Sequence, residues 1–258
     1  MTYNATPGHV ADAETNYFIS DLLTMTGDTR LLVIPTTITG TTVEDSSVNG
    51  HDLTSNESVA GWLEHTTRHY TYSLDGAADL MYHADHADFT FGNGVADSAF
   101  SVFALINSTN AVGDHYIISK QDVGPNDFEW HLHLTNGRPY LQLHDDSVPS
   151  YIARYRNSAI TNGMWYFLVG TYDGSSAVGG IKIYLDGVQV DDTDDTSGAY
   201  TAMEDTAAGL SVGALLDTSP AGTTFFNGKI AVAGIRAGEF TAEQVWNLNA
   251  LVRGHFGV

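Results

Sequence analysis

The run Trp165-Tyr-Phe-Leu-Val-Gly-Thr-Tyr-Asp-Gly174 and, after a short break, Gly180-Ile-Lys-Ile-Tyr-Leu-Asp-Gly-Val-Gln-Val190 admit little except paired β-strands. Trp165, Phe167, Val169 and Thr171 fall on one side of a pleated chain and Tyr166, Leu168, Gly170 and Tyr172 on the other, because successive side chains of a strand point to opposite faces. Ile181, Ile183 and Leu185 alternate with Lys182, Tyr184 and Asp186 in the same way. Asp186-Gly187 suits a two-residue hairpin turn, whose centre positions both need positive φ. An antiparallel sheet with a buried face follows.

At 258 residues and 43% apolar content the chain can bury a large core, and all-β sandwiches commonly reach this length as one domain. Its 26 Gly and 13 Tyr, with abundant Thr, Val and Ile, suit strands and turns better than helices. The absence of cysteine excludes disulfides and thiolate metal sites. With 31 acidic against 10 basic residues the net charge is −21, a sign that repels nucleic acid phosphates and anionic lipid alike. Neither nucleic acid nor membrane insertion is expected. No apolar run approaches the roughly 20 residues of a spanning helix, and residues 1–20 lack the basic start and apolar middle of a signal peptide. The expected location is an extracellular or virion surface, reached with no recognisable signal peptide.

Tyr17, Phe18, Leu22, Leu23 and Met25 recur at roughly helical spacing before a short strand at 30–35. Residues 1–40 are therefore expected to form an N-terminal arm or small helical preface to a domain over 41–258. Strand-like runs separated by Gly, Asn and Asp then follow at 99–107, 115–120, 129–135, 138–144, 151–156, 164–172, 181–185, 210–214 and 228–235. A single later helix is expected, capped by Thr241, carrying Val245, Trp246, Leu248, Leu251 and Val252, and ended by Gly254.

The order of these pieces resembles the laminin G-like, or concanavalin A-like, jelly rolls. Asp45-Ser-Ser-Val-Asn-Gly-His-Asp-Leu53 is similar to that family's opening loop, Ser73-Leu-Asp-Gly-Ala-Ala-Asp-Leu-Met81 to its Phe-Asp-Gly segment, and Phe100-Ser-Val-Phe-Ala-Leu105 to a strand that ends in a core Trp, here Leu105. Trp165 to Asp173, Ile183-Tyr-Leu-Asp-Gly187, Phe226-Asn-Gly-Lys-Ile230 and Phe240-Thr-Ala-Glu-Gln-Val245 complete a match over residues 43–253. One departure is Ala231, where the family has an acidic residue. The resemblance implies an all-β, two-sheet antiparallel jelly-roll sandwich, with an N-terminal arm and a short C-terminal helix in this chain. It also implies a protein that binds rather than catalyses.

Hairpin 129–144 is the candidate ligand site, because Asn136-Gly137 as a two-residue turn fixes its register. Pairing sets His133 against Tyr140, His131 against Gln142 and Glu129 against His144 on one face, with Phe128, Trp130, Leu132, Leu134, Leu141 and Leu143 on the other. The apolar side must be core. The polar side combines an aromatic ring for sugar C–H groups with donors and acceptors for hydroxyls, or else is simply a solvated or partner-covered sheet face. Tyr155 and Arg154 of the next strand extend whichever face they share.

Metal chemistry has two openings. Calcium takes the hard oxygen ligands that Asp-rich loops supply, Asp45 with Asn49 first and the run 191–195 second, unless those carboxylates only cap backbone amides. Zinc is the lesser alternative, with His131, His133 and His144, or His83-Ala-Asp-His86, as ligands. Glucanases of this fold place their carboxylates as Glu-x-Asp-x-x-Glu, whereas the eight glutamates here, at 14, 44, 57, 64, 129, 204, 239 and 243, include no pair five apart. The resulting expectation is a non-catalytic glycan-binding, lectin-like module displayed on a particle or cell surface for attachment. The alternative is a structural decoration protein of a viral capsid or tail, assembled as a homo-oligomer or against a neighbouring protein through residues 1–40. A glycoside hydrolase or lyase comes third.

Overall fold

The structure, a computed structural model, describes residues 13–36, 40–59, 63–65, 69–110 and 112–258. Residues 1–12 of the expected arm lie outside the described residues. Two antiparallel sheets stack face to face, with two helices on the outer side of one of them.

The back sheet runs, in spatial order, through β14 (Val188–Gln189), β13 (Ile181–Leu185), β12 (Trp165–Tyr172), β7 (Phe100–Ser108), β19 (Asn227–Ala237), β5 (Tyr70–Asp75) and β4 (Leu63–His65). The far half of β19 pairs instead with β1 (Thr29–Val33). The front sheet runs through β15 (Thr193–Ser197), β11 (Ser150–Tyr155), β10 (Arg138–Asp145), β9 (Asp127–Thr135), β8 (Asp114–Asp122), β16 (Leu210–Val212), β6 (Met81–His83), β3 (Leu53–Ser55) and β2 (Thr42–Val43). A small hairpin of β17 (Leu215–Thr218) and β18 (Ala221–Thr223) attaches to the end of β8.

Period-two alternation decides what each face buries. Val102, Ala104, Ile106 and Leu168 of the back sheet meet Trp130, Leu132, Leu134, Leu141 and Leu143 of the front sheet in one continuous core. Phe103, Leu105, Phe167 and Val169, one residue out of phase, form a second apolar layer on the opposite face. Helices α1 (Ala13–Thr26) and α2 (Ala242–Phe256) cover it with Phe18, Leu22, Val245, Leu248 and Val252. The helix and strand expected within residues 1–40 are thus α1 and β1, both packed into the sandwich. The apolar spacing of residues 17–25 is explained by this contact.

The C-terminal helix begins as expected, with Thr241 and Gln244 exchanging side-chain and backbone hydrogen bonds in a capping box. It does not stop at Gly254. The chain stays helical to Phe256 and turns at Gly257, whose φ of 70° is the left-handed conformation that glycine adopts freely. Gly254 sits on an exposed turn with open space around its Cα, where glycine costs a helix about 1 kcal/mol and does not end it.

Trp130 is the largest fully buried side chain among the described residues; it packs against Phe91 and Phe100 and donates its indole N–H to the Phe89 carbonyl at 2.9 Å. Trp130→Ala is expected to destabilise the fold by about 3–5 kcal/mol. Urea unfolding should show a lower midpoint with an unchanged slope.

Candidate functional site

The middle of the front sheet carries the candidate site. Asn136 and Gly137, with φ of 50° and 75°, make the two-residue turn that joins β9 to β10. The resulting register sets Thr135 opposite Arg138, His133 opposite Tyr140 and His131 opposite Gln142, as the turn chemistry predicts. On the flanks, β8 brings Tyr116 opposite His133, and β11 brings Tyr155 opposite Tyr140.

Four rings therefore stand side by side across four strands, in the order Tyr116, His133, Tyr140, Tyr155. Their centres are 5.1, 5.1 and 4.2 Å apart and their planes are inclined by 14°, 33° and 6°. A ring stacked on both sides shows solvent its edge, not its face. Tyr140 is so placed, between His133 and Tyr155, and cannot offer the flat surface for sugar C–H groups that its position predicts. His131 and His133 are buried although they lie on the sheet's outer side, since this row closes over them.

Glu129 is not in the row. The β8–β9 register shifts so that Lys120 pairs with Trp130 and Gln121 with Phe128, which leaves Glu129 as the extra residue of a β-bulge. Phe128, expected inside, lies on the outer side with its ring 5.4 Å from that of His144. Glu129 turns away from His144 and is fully buried against Lys120, with Nζ 3.0 Å from Oε1, while the N–H and hydroxyl of Thr206 donate to the same oxygen. Lys120 also donates to Asp85 at 2.7 Å and to the Ala208 carbonyl at 2.8 Å. Burial pushes the Glu129 carboxyl up to about 7 against the pull of that ammonium. Alternation alone cannot reveal a bulge, and one extra residue moved two side chains across the sheet.

The imidazoles of the outer face are held neutral. Burial draws His133 down to about 3 and His144 to about 4, and holds His131 well below its ordinary value. His131 Nδ1 lies 2.6 Å from the Gln121 amide oxygen, and Gln142 Nε2 lies 3.2 Å from His144 Nε2.

Beside this row, where β9, β10 and β11 meet, a pocket of about 250 Å³ opens between Phe128, His144, Tyr151, Asn126, Asp146 and Ser197. His144 and Tyr151, two of its aromatic walls, pair across β10 and β11 four residues along from Tyr140 and Tyr155, with ring centres 5.9 Å apart, and the Tyr151 hydroxyl donates to Asp195 at 3.1 Å. Asp145 accepts from the N–H groups of Thr201 and Val148 and from the Ser147 hydroxyl, which hold its carboxyl low against the opposing effect of burial. Asp146 differs: burial, then the charges of Glu204, Asp127 and Asp145, push its carboxyl up. A partly buried carboxyl surrounded by like charge gains from any hydroxyl donor that enters. In this pocket Tyr151 and His144 follow from strand spacing; Asn126 and Asp146, 3.5 Å apart, lie in turns that strand alternation does not mark.

The remaining sequence-derived positions serve the fold. Each oxygen of the buried Asp45 carboxylate accepts twice, Oδ1 from the N–H of Leu32 and Ser47, Oδ2 from the N–H of His51 and the Ser47 hydroxyl. Asn49 donates its side-chain amide to the Thr29 carbonyl at 2.6 Å. Four donors fill the roughly four lone-pair positions of a carboxylate, which leaves none for calcium in this conformation. In the 191–195 run, Asp191 and Asp194 pair with Arg154 at 2.8 and 2.9 Å. Arg154 thus lies on the opposite side of β11 from Tyr155.

A front sheet with a layered aromatic and imidazole face, a back sheet under two helices and a pocket beside the aromatic row define a two-sheet jelly-roll architecture. Residues 81–245 match the model of a laminin G-type family described as the concanavalin A-like lectin/glucanases superfamily, and the chain belongs to that family. Among solved structures it is similar to the botulinum neurotoxin serotype G binding domain (14% identity, TM-score 0.60, covering 87% of this chain and 51% of that one). It is also similar to the binding domain of Paraclostridial mosquitocidal protein 1 (12% identity, TM-score 0.60, covering 87% and 52%). The botulinum neurotoxin serotype D binding domain gives 13% identity and a TM-score of 0.55 over 86% of this chain and 51% of that one. The chain spans about half the length of these structures, and the likeness is one of fold. No curated protein matches the sequence.

Neutral buried imidazoles tie stability to pH. The folded values of His133 and His144 lie below the unfolded value of about 6.5, so the unfolded chain binds protons first and stability falls as pH drops from about 6.5 towards 4. His133→Phe keeps the ring and removes the titration. Its unfolding free energy, measured by urea titration across this range, should depend on pH less steeply than that of the parent by about one proton.

Proposed function

We propose that the protein is a non-catalytic glycan-binding module whose primary subsite is the pocket bounded by Phe128, His144, Tyr151 and Asp146. The observation that carries this reading is the pocket's composition: ring walls for the apolar side of a sugar, with an amide, a hydroxyl and a carboxyl of raised proton affinity for its hydroxyls. The hydroxyl and amide edges of Tyr140, Tyr155 and Gln142, next along the sheet, extend the contact to further units of a chain.

The arrangement favours binding over hydrolysis. A glycosidase needs two carboxyl groups on either side of the scissile bond, whereas Glu129 is buried against Lys120 and Asp145 is engaged by backbone donors. Asp146 is the carboxyl left to the pocket. An extracellular or particle-surface location suits such a module. Since α1 and β1 are packed into the sandwich, an assembly role for residues 1–40 falls to residues 1–12 and to the outer side of α1, where Tyr17 is 74% exposed.

Glycan-array screening followed by calorimetric titration tests the reading. Tyr151→Ala and Asp146→Asn should each weaken binding at least about tenfold, or about 1.4 kcal/mol, with melting temperatures close to the parent's, and Tyr17→Ala should leave affinity unchanged. Silence across the array, or a sugar that binds all three variants equally, would refute it.

A further inference from the structure

Three side chains from two segments of the chain meet at the edge of the front sheet, away from the proposed glycan pocket. His51 comes from the loop after Asp45, His86 from the turn after β6, and Asp88 from the single 3-10 turn Ala87–Phe89 that His86 caps. Asp88 Oδ2 lies 2.8 Å from His51 Nε2 and 3.6 Å from His86 Nδ1, and the three donor atoms fall within 4.8 Å of one another. Ligands of a tetrahedral ion bound at about 2.0–2.1 Å stand about 3.3 Å apart, midway between these separations. The two imidazole rings stand 4.3 Å apart, centre to centre, with planes inclined by 52°.

The surroundings hold the donors in place. Asp45 accepts the backbone N–H of His51 at 2.9 Å and fixes its loop, and Arg30 engages the other oxygen of Asp88, leaving Oδ2 turned towards the imidazoles. His86 Nδ1 accepts the Asp88 N–H at 3.2 Å, so its single lone pair is on Nδ1 with the ring proton on Nε2, and an ion bound there would take the place of that hydrogen bond. With a side chain 45% exposed, His86 provides the entry path.

Two other groups of acids and histidines among the described residues lack these features. In the group of Asp85, Glu129 and Asp205, the Lys120 ammonium pairs with Asp85 and Glu129 and takes the place of a cation. In the group of Glu14, His69 and His255 the imidazoles stack 3.7 Å apart at 21°, so their lone pairs run side by side.

We propose that His51 Nε2, His86 Nδ1 and Asp88 Oδ2 form a binding site for a zinc-class transition-metal ion, with the fourth coordination position on the solvent side. Two imidazoles and one carboxylate suit zinc, and suit calcium poorly because it takes six to eight oxygens.

Calorimetric titration of the metal-free full chain with Zn²⁺, paralleled by Co²⁺ absorption spectroscopy, tests the site. The expected result is one ion per chain at micromolar affinity, intense visible Co²⁺ bands of tetrahedral coordination, and no heat with Ca²⁺. His86→Ala and Asp88→Asn should each weaken uptake at least tenfold; His86→Ala, which also removes the side-chain cap of the 3-10 turn, should lower the melting temperature of the metal-free protein slightly and leave its circular dichroism that of the parent. Absence of saturable Zn²⁺ uptake by the parent, or uptake by His86→Ala equal to the parent's, would overturn the proposal.

Discussion

A strand in the middle of a sheet must dispose of side chains on both faces, and β9 does so with two unlike layers. Its inner face, Trp130, Leu132 and Leu134, joins the core, where water is excluded by area alone. Its outer face, His131 and His133, is buried too, under tyrosines from the neighbouring strands. The second layer is not oily, yet it excludes water because rings stacked across strands leave no gaps. Neutral imidazoles are the consequence. The faces of His133 and Tyr140 are used up within the row, and further aromatic surface lines the pocket between Phe128, His144 and Tyr151, along the same strands.

Much of this was written in local pattern. Alternation located the long strands to within a residue or two, and Asn136-Gly137 fixed the β9–β10 register because a two-residue turn leaves no slack. What alternation could not carry was any event that breaks its own period. The bulge at Glu129 is one, and it removed a candidate ligand residue from the site while delivering Phe128 to it. The exchange of Gly254 for Gly257 at the end of α2 is another, since both are glycines and only the backbone angle separates them. Short strands such as β2, β3 and β6 carry too few residues to show a period at all. Asp145 and Asp146 are adjacent and chemically identical; contacts from residues 201 and 204, distant in sequence, make one a loop clamp and the other a pocket wall.

The acidic excess has a structural side as well. Asp45, Asp145 and Asp191 each accept hydrogen bonds from backbone N–H groups of loops or strand ends that no other element would satisfy, work for which a short carboxylate is well suited. Acids of the edge strand β15 meet Arg154 and Tyr151, and the charge left on that edge discourages pairing with a second sheet. A net charge of −21 is in part the signature of loops built on aspartate. Most of the remainder faces solvent, where it repels polyanions.

The two-layer disposition of β9 is tested most directly by NMR of ¹⁵N-labelled histidine, which reports the protonation of each ring nitrogen. The account requires the His131 and His133 rings to stay neutral with one fixed tautomer each from about pH 7.5 to about pH 4.5. Titration of either ring near pH 6.5 would contradict it, because a histidine that charges so readily has water, not tyrosine, over its face.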